Sequence, residues 1–220
     1  MIITIDGPAG SGKSTAAREL AKTLNIAHLD TGATYRAVTL KALRDRINLD
    51  DDQALLAVAQ RADIRLVQAD RRTQVLLDGQ DVTADIRTVE VTENSHYVAR
   101  CAAVRAVLVD LQRKIGRELG SFVTEGRDQG SVVFPHADVK FYLDADPQVR
   151  AARRSDELSA AGQHVPKQQV LDAIVQRDDR DRSRAVAPLV VPDGAIVVDT
   201  SGATVEQTMR ELLRHVEAAR

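Results

Sequence analysis

Near the start of the chain, Gly7-Pro8-Ala9-Gly10-Ser11-Gly12-Lys13-Ser14 fits the pattern G-x-x-x-x-G-K-[ST]. The chemistry this offers is the binding of a nucleotide's phosphates. Glycines let successive backbone N–H groups turn inward around phosphate oxygens, and a helix starting there adds partial positive charge. Lys13 is placed to reach the β- and γ-phosphates, and the Ser14 hydroxyl is the expected ligand of Mg²⁺. Gly7 through Thr15 are therefore the expected nucleotide-binding residues, with ATP and Mg²⁺ as the cofactors. A chance glycine-rich turn matches four fixed positions in about one chain of this length per hundred.

Binding phosphate leaves the reaction open, because hydrolysis drives a switch while transfer needs an acceptor. Moving a phosphoryl group between two polyanions requires cations that clamp both and neutralise the charge in flight. Arg36, Arg105 and Arg127 are placed to do so, and so is the run Arg177-Asp178-Asp179-Arg180-Asp181-Arg182-Ser183-Arg184. On a helix Arg177, Asp181 and Arg184 share a face. Such a run is commonly a solvated surface of paired charges. Here it holds four arginines and no lysine in eight residues, and guanidinium forks suit phosphate better than a single ammonium.

The elements that must position these groups are legible as apolar runs. Ile2 to Ile5 reads as a buried strand before the loop, and Ala16, Ala17, Leu20, Ala21 and Leu24 recur at helical spacing after it. Further strands are expected at Ile26–Asp30, Phe122–Thr124, Val139–Leu143 and Ala195–Val198. Helices are expected from Thr34 to about Asp45, from a cap at Asp50, from about Thr88, and through Val104 to Leu119 ahead of Gly120. Others start at Pro147, run from about Lys167 to Arg182, and follow a Thr204–Gln207 capping box. Strands alternating with helices imply an α/β fold: a five-stranded parallel sheet covered on both faces, with ligands beyond the strands' carboxyl ends. Those ends carry the loop, Asp30-Thr31-Gly32, Glu125-Gly126-Arg127-Asp128 and Asp144. Between Ile64 and Val82 the pattern changes to short antiparallel strands with a hairpin signal at Asp78-Gly79, which reads as a small inserted subdomain. Ser159 to Pro166, with Gly162 inside it, reads as a linker between two helices.

Bulk properties narrow the classes. The 220 residues are 44% hydrophobic and 28% charged with a formal net charge of −2. This is ordinary for a soluble globular chain and lacks the basic excess of a nucleic-acid or membrane-surface binder. Aromatic residues make up only 3%, so the core must be aliphatic. The single cysteine, Cys101, excludes an internal disulfide and reads as a buried structural thiol. No apolar run approaches a membrane span and no signal peptide is visible, so a cytoplasmic monomer with small-molecule partners is expected.

Five blocks together resemble the bacterial cytidylate kinase family: the loop Gly7–Ser14, Asp30-Thr31-Gly32-Ala33-Thr34-Tyr35-Arg36, Asp85-Ile86-Arg87-Thr88, Glu125-Gly126-Arg127-Asp128, and Arg177 through Leu189. The resemblance implies a nucleoside monophosphate kinase fold with a helical lid, transferring the γ-phosphoryl group of ATP to CMP and dCMP. It implies one kinase unit over 1–220, with a core of about 1–35, 86–150 and 185–220. An inserted monophosphate-binding region would span about 36–85, with the helix to about 110 contributing, and a lid about 153–177. It implies that Arg36 and Arg127 hold the acceptor phosphate and that Arg105 and Asp128 read cytosine. Arg177 and Asp181 would bind ribose or the adjoining phosphate, with Arg184 near the base or the reacting phosphates. Lys13, Arg127, Arg177 and Arg184 would carry the transfer. Thr31 stands where the family often has serine and keeps the hydroxyl. His96 stands where the family commonly has a base-contacting serine; it can donate to the base in its place or be a surface histidine. Ser95 is adjacent but points about 100° away on a helix. Asp30 can orient metal-bound water or brace the strand end. Another acceptor (UMP, AMP or a non-nucleotide) and a nucleotide-dependent switch or translocase are the competing readings. The second wants four apolar residues ending in Asp-Glu, which Phe122-Val123-Thr124-Glu125-Gly126 matches poorly.

Overall fold

The structure, a computed structural model, describes residues 1–69, 72–160 and 162–219. Residues 70 and 71 of the expected antiparallel patch, 161 of the expected linker, and 220 lie outside them. In chain order the elements are β1 (Ile2–Asp6), α1 (Lys13–Leu24), β2 (Ala27–Asp30), α2 (Thr31–Arg44), α3 (Asp52–Arg61), β3 (Ile64–Ala69), β4 (Arg72–Leu77) and β5 (Gln80–Asp81). They continue as α4 (Val89–Arg100), α5 (Ala102–Leu119), β6 (Phe122–Glu125), β7 (Val139–Asp144), α6 (Pro147–Ala160), α7 (Lys167–Ser183), β8 (Ile196–Asp199) and α8 (Val205–Ala218). As expected, the main sheet is five-stranded and parallel, in the order β2-β6-β1-β7-β8, and β3-β4-β5 form a separate antiparallel sheet.

The chain divides into two compact units, residues 1–26 with 123–220, and residues 27–122. In the first, β1 pairs with β7 (Ile3 beside Val139) and β7 with β8 (Phe141 beside Ile196). Ile3, Ile5, Phe141 and Leu143 are fully buried, which is why these strands read as unbroken apolar runs. Small residues on α1, Ala16, Ala17 and Ala21, bury with Leu20 against the strands, and Leu212 and Val216 of α8 complete that core. The Thr204–Gln207 box forms as expected: Thr204 Oγ1 accepts from the Gln207 N–H at 3.2 Å, and Gln207 Oε1 accepts from the Thr204 N–H at 2.8 Å.

In the second unit, α2, α3, α4 and α5 bury Ala37, Val38, Leu55, Val58, Val98, Val104 and Leu108 together with Val75 and Leu77 of the antiparallel sheet. The β4–β5 connection is Asp78-Gly79, both at positive φ (50° and 81°), as a two-residue hairpin turn requires. Cys101 is buried, its thiol donating to the Asp52 carbonyl at 3.8 Å.

Three boundaries differ from the sequence expectation, each for a local reason. Helix α2 starts at Thr31, because the Asp30 carboxylate accepts from the Ala33 N–H at 3.0 Å and caps it. The cap of α3 is Asp51, which accepts from Gln53 and Ala54 N–H, both at 3.0 Å. The third strand of the patch ends at Asp81, although the Val82 N–H still donates to the Val75 carbonyl at 2.9 Å.

One glycine sets how closely the phosphate loop meets the sheet. Gly7 has φ +146°, and a Cβ there would lie 2.0 Å from the carbonyl oxygen of Leu143 on β7. Gly7→Ala is therefore expected to cost at least ~2 kcal/mol, the scale of enforced backbone strain, which lowers Tm by ~5 °C or more in a chain of this size. A thermal melt matching wild type would contradict this account of the loop.

Candidate active site

The loop between β1 and α1 ends on Gly12, and no side chain caps the helix that follows. The first N–H groups of α1 therefore meet no capping oxygen from Gly12, the arrangement that suits an anion. Lys13 is 5% exposed. Its Nζ donates to the Pro8 carbonyl at 2.6 Å and lies 3.4 Å from Ser11 Oγ. Burial holds its pKa well below the ordinary lysine value, and the nearby charges of Arg127 and Arg177 push it the same way. Glu125 and Asp6 oppose that push.

Other expected groups of this unit gather around that ammonium. Ser14 Oγ donates to Glu125 Oε1 at 2.8 Å, so a hydroxyl and a buried carboxylate stand side by side. Hard oxygens of this kind, few in number and adjacent to a phosphate loop, fit Mg²⁺. Arg127 Nε donates to Asp181 Oδ2 at 2.8 Å and its Nη1 to the Gly126 carbonyl at 3.2 Å. Burial would raise the Asp181 pKa, but Arg127, Arg184 and Arg177 hold it below the usual carboxylate range. Arg177 and Asp181 sit on α7 as expected. Arg184 is instead the residue that ends the helix, in extended backbone, with Nε donating to the Asp181 carbonyl at 3.3 Å. The expected three-residue helical face therefore stops at Asp181. Asp128 is buried, and the next residues form a π-helical turn, Gln129–Val133. Asp6, at the end of β1, holds that turn by accepting from the Gln129 and Gly130 N–H groups at 2.8 and 2.7 Å. Burial pushes the Asp6 carboxyl up to about 6.

The expected acceptor-side residues Thr31, Arg36, His96 and Arg105 belong to the second unit. Thr31 opens α2 and is buried. Arg36 Nη2 donates to Asp30 Oδ2 at 3.1 Å, and Arg87 Nη2 donates to the same oxygen at 3.0 Å. Burial would raise the Asp30 pKa, but Arg36, Arg87 and His28 hold it down. Asp30 is thus spent on a helix cap and two guanidiniums, which makes it a brace. Arg36 Nε is buried and has no hydrogen-bond partner among the described residues. Arg105 is buried, with Nη1 donating to the Ala99 carbonyl at 3.2 Å and its guanidinium 5.3 Å from the Tyr35 ring centroid. His96 Nδ1 lies 2.6 Å from the Glu93 carbonyl. A carbonyl only accepts, so Nδ1 carries the hydrogen and Nε2 of the neutral ring is an acceptor. Ser95 does not substitute, because its hydroxyl donates to the Thr92 carbonyl at 2.9 Å.

Five charged residues of these sites were not singled out by sequence reasoning: Asp6, Arg87, Glu125, Arg150 and Asp178. Glu125 and Asp6 lie at carboxyl ends of strands, and Arg87 and Asp178 lie inside blocks already noted, so position was their signal. Arg150, buried on α6, has no local sequence signal at all.

A family model described as cytidylate kinase matches residues 3–218. A cytidylate kinase from Desulforamulus reducens is 50% identical over 215 residues, covering 98% of this chain and 96% of that protein. One from Clostridioides difficile is 41% identical over 216 residues and covers 98% of each. One from Klebsiella pneumoniae is 42% identical, covering 97% and 94%. Among solved structures, an uncharacterized protein from Eubacterium ventriosum aligns over 99% of this chain and 98% of its own, at 15% identity and a TM-score of 0.54. A shikimate kinase from Bacteroides thetaiotaomicron aligns over the same shares at 14% identity and 0.51. These two likenesses concern the fold alone.

The burial of Lys13 has a stability consequence. Its folded pKa is lowered, so between that value and the ordinary 10.5 the unfolded chain binds more protons and stability rises with pH. Lys13→Met is expected to raise the Tm of the ligand-free protein at pH 7 by about 2–4 °C, the scale of 1 kcal/mol here. The gain should narrow as pH approaches 10. A variant less stable than wild type at pH 7 would show that the ammonium is well accommodated.

Proposed function

The chain belongs to the cytidylate kinase family, and from that premise we propose that it transfers the γ-phosphoryl group of ATP to CMP and dCMP, giving ADP and CDP or dCDP. The observation that carries the reading is the buried Lys13, its Nζ turned back onto the Pro8 carbonyl of the phosphate loop at 2.6 Å, in the same unit as Arg127, which Asp181 fixes at 2.8 Å. A buried lysine, a half-buried Arg127 and an exposed Arg177 add positive charge on one side of the loop, which suits a polyanion. Little covalent work falls to the protein in phosphoryl transfer, so catalysis is positioning and charge neutralisation.

The N–H groups from Gly10 to Thr15 cradle the donor phosphates, while Gly7, Pro8 and Ala9 shape the loop. Lys13 leaves the Pro8 carbonyl to follow the migrating group. Ser14, with Glu125 beside it, would hold Mg²⁺, which would supply charge neutralisation for the phosphates. Arg36 and Arg127 hold the acceptor phosphate; the unpartnered Arg36 Nε is the donor such a ligand satisfies. Arg177, Asp181 and Arg184 contact the ribose and the reacting phosphates. Thr31 lends its hydroxyl to the acceptor site. The enzyme acts in the cytoplasm, a reading supported by its single cysteine, which is buried and free, as a reducing compartment allows; a monomer is the expected state.

Residues 153–177 form the lid, between the expected core segments. Support comes from a small cluster in which Val170 and Ile174, with Leu158, Val165 and Leu171, bury against Ala151 just before the segment. Closure excludes water and prevents wasteful hydrolysis. ATP and CMP together are expected to protect this segment from limited proteolysis at least several-fold. Cleavage at the same rate with and without ligands would remove the lid from the account.

Base choice rests on hydrogen-bond polarity. Cytosine offers an N4 amino donor with N3 and O2 acceptors, whereas uracil offers an O4 acceptor and an N3–H donor. Asp128 accepts from the amino group, Arg105 donates to the cytosine acceptors, and His96 Nε2, with Nδ1–H spent on the Glu93 carbonyl, offers a second acceptor in place of the expected donor. A site built on such bonds rejects a base that leaves them unpaired. In an acceptor panel with ATP, CMP and dCMP are expected to exceed UMP by at least ~30-fold in kcat/KM, or ~2 kcal/mol. Asp128→Ala should shrink that ratio more than it weakens ATP binding, and His96→Ser should leave CMP turnover within about threefold. Equal use of UMP and CMP would make this a broader pyrimidine kinase and would overturn the role given to Asp128.

A further inference from the structure

The most deeply buried ion pair described in the chain is not in the acceptor cluster. Arg150 on α6 and Asp178 on α7 are each 2% exposed, with Nη1 2.6 Å from Oδ2. Taking two charges out of water is costly, and such a pair is kept where its remaining hydrogen bonds do further work. Here they do. The other carboxylate oxygen, Asp178 Oδ1, accepts from the Ala9 N–H at 3.1 Å. Arg150 Nη1 also donates to the Ala9 carbonyl at 2.9 Å, and its Nε donates to the Ala145 carbonyl at 2.8 Å. Both polar groups of one residue at the apex of the phosphate loop are thus held by opposite members of one ion pair. The backbone of Arg150 also packs on the loop: a Cβ on Gly10 would lie 3.1 Å from Arg150 Cβ and 3.2 Å from its carbonyl oxygen. Ser11 has a separate brace, since Thr200 Oγ1 lies 3.1 Å from its carbonyl.

We propose that Arg150 and Asp178 are positioning residues that lock the Ala9 peptide, and so hold the phosphate loop in the geometry that receives ATP. The Ala9 N–H is thereby committed to Asp178 Oδ1 and its carbonyl to Arg150, which leaves that peptide no freedom to rotate. The pair also sits at the two roots of the segment read above as the lid, Arg150 just before residue 153 and Asp178 just after residue 177. Asp178 adjoins Arg177 in sequence and lies one turn from Asp181. Helix α7 therefore brings its phosphate-facing groups to a loop fastened to that same helix. The proposal rests on the kinase reading for what the loop binds. It adds two residues that touch neither nucleotide.

The discriminating variant is the double replacement Arg150→Met with Asp178→Leu, which removes both charges and fills their space with apolar atoms. A purely structural ion pair replaced in this way leaves stability and activity close to wild type. A positioning pair does not. The expected result is a Tm within a few degrees of wild type, an ADP affinity and a KM for ATP each weakened by about 10-fold or more, and a KM for CMP changed less than about threefold. The scale is that of a displacement of an ångström or less at a reacting group. ADP affinity is read by calorimetry without CMP, so it reports on the loop even if the acceptor proves to be another molecule. The acceptor panel reports on the kinase reading alone. Normal ADP affinity and normal KM for ATP in the folded double variant would overturn the proposal. Amide exchange in the wild-type protein tests it without any variant. The Ala9 N–H is expected to exchange at least ~10-fold more slowly than a solvated loop amide, and exchange at the solvated rate would overturn the proposal equally.

Discussion

A lysine ammonium kept almost out of water is the constraint on which the rest of the first unit depends. Charge in a low-dielectric setting must be matched, relieved by proton loss, or tolerated at the expense of stability. Lys13 Nζ donates to the Pro8 carbonyl, and burial, with the charges of Arg127 and Arg177, lowers its pKa. Everything nearby limits that stress without removing it. Glu125 supplies partial compensation, yet its carboxylate is engaged by Ser14 Oγ. Asp6 is buried and near enough to be felt, yet it spends both oxygens on the turn after Asp128. A site arranged like this has its attraction for phosphate in place before the ligand arrives, the condition for electrostatic catalysis without reorganisation.

Carboxylates in both units act as organisers of arginine. Asp181 takes the Nε of Arg127 and lies against Arg184, which turns two cations into a defined set of donors. In the unit of residues 27–122, Asp30 does the same for Arg36 and Arg87 while capping α2. One carboxylate shared by two guanidiniums leaves an excess of positive charge and several N–H groups aimed by a fixed pivot. This differs from a solvated surface run of alternating charges, where side chains average over many geometries and contribute little.

The same division of labour explains why no residue need act as a general base. Asp30, the carboxylate nearest in sequence to the expected acceptor arginine, has its oxygens committed to a helix cap and two cations, and its pKa is held below the ordinary range. Phosphoryl transfer asks mainly for alignment and for neutralisation of charge on the migrating group. The described groups answer that demand with arginines, a lysine and backbone N–H groups.

By itself the sequence determined the elements and the chemistry they carry. Apolar runs such as Ile2–Ile5 and Val139–Leu143 declare buried parallel strands, and the glycine–lysine–serine spacing declares a phosphate loop, because both depend on local periodicity and backbone freedom. Asp78-Gly79 and Thr204–Gln207 are legible for the same reason, since a turn and a cap are closed within four residues. Cap identity slipped by one position at Asp51, where neighbouring aspartates are chemically equivalent and only geometry chooses. Tertiary structure alone decided which charges meet. Ser14 and Glu125 are 111 residues apart, Asp6 and Gly130 are 124 apart, and Arg150 reaches Ala9 across 141. It also decided that Arg184, just past the end of α7, does not continue the helical face of Arg177 and Asp181. An ion pair such as Arg150–Asp178 leaves no periodic trace in either segment. Its stabilisation comes from distance and burial, which exist only once the chain has folded.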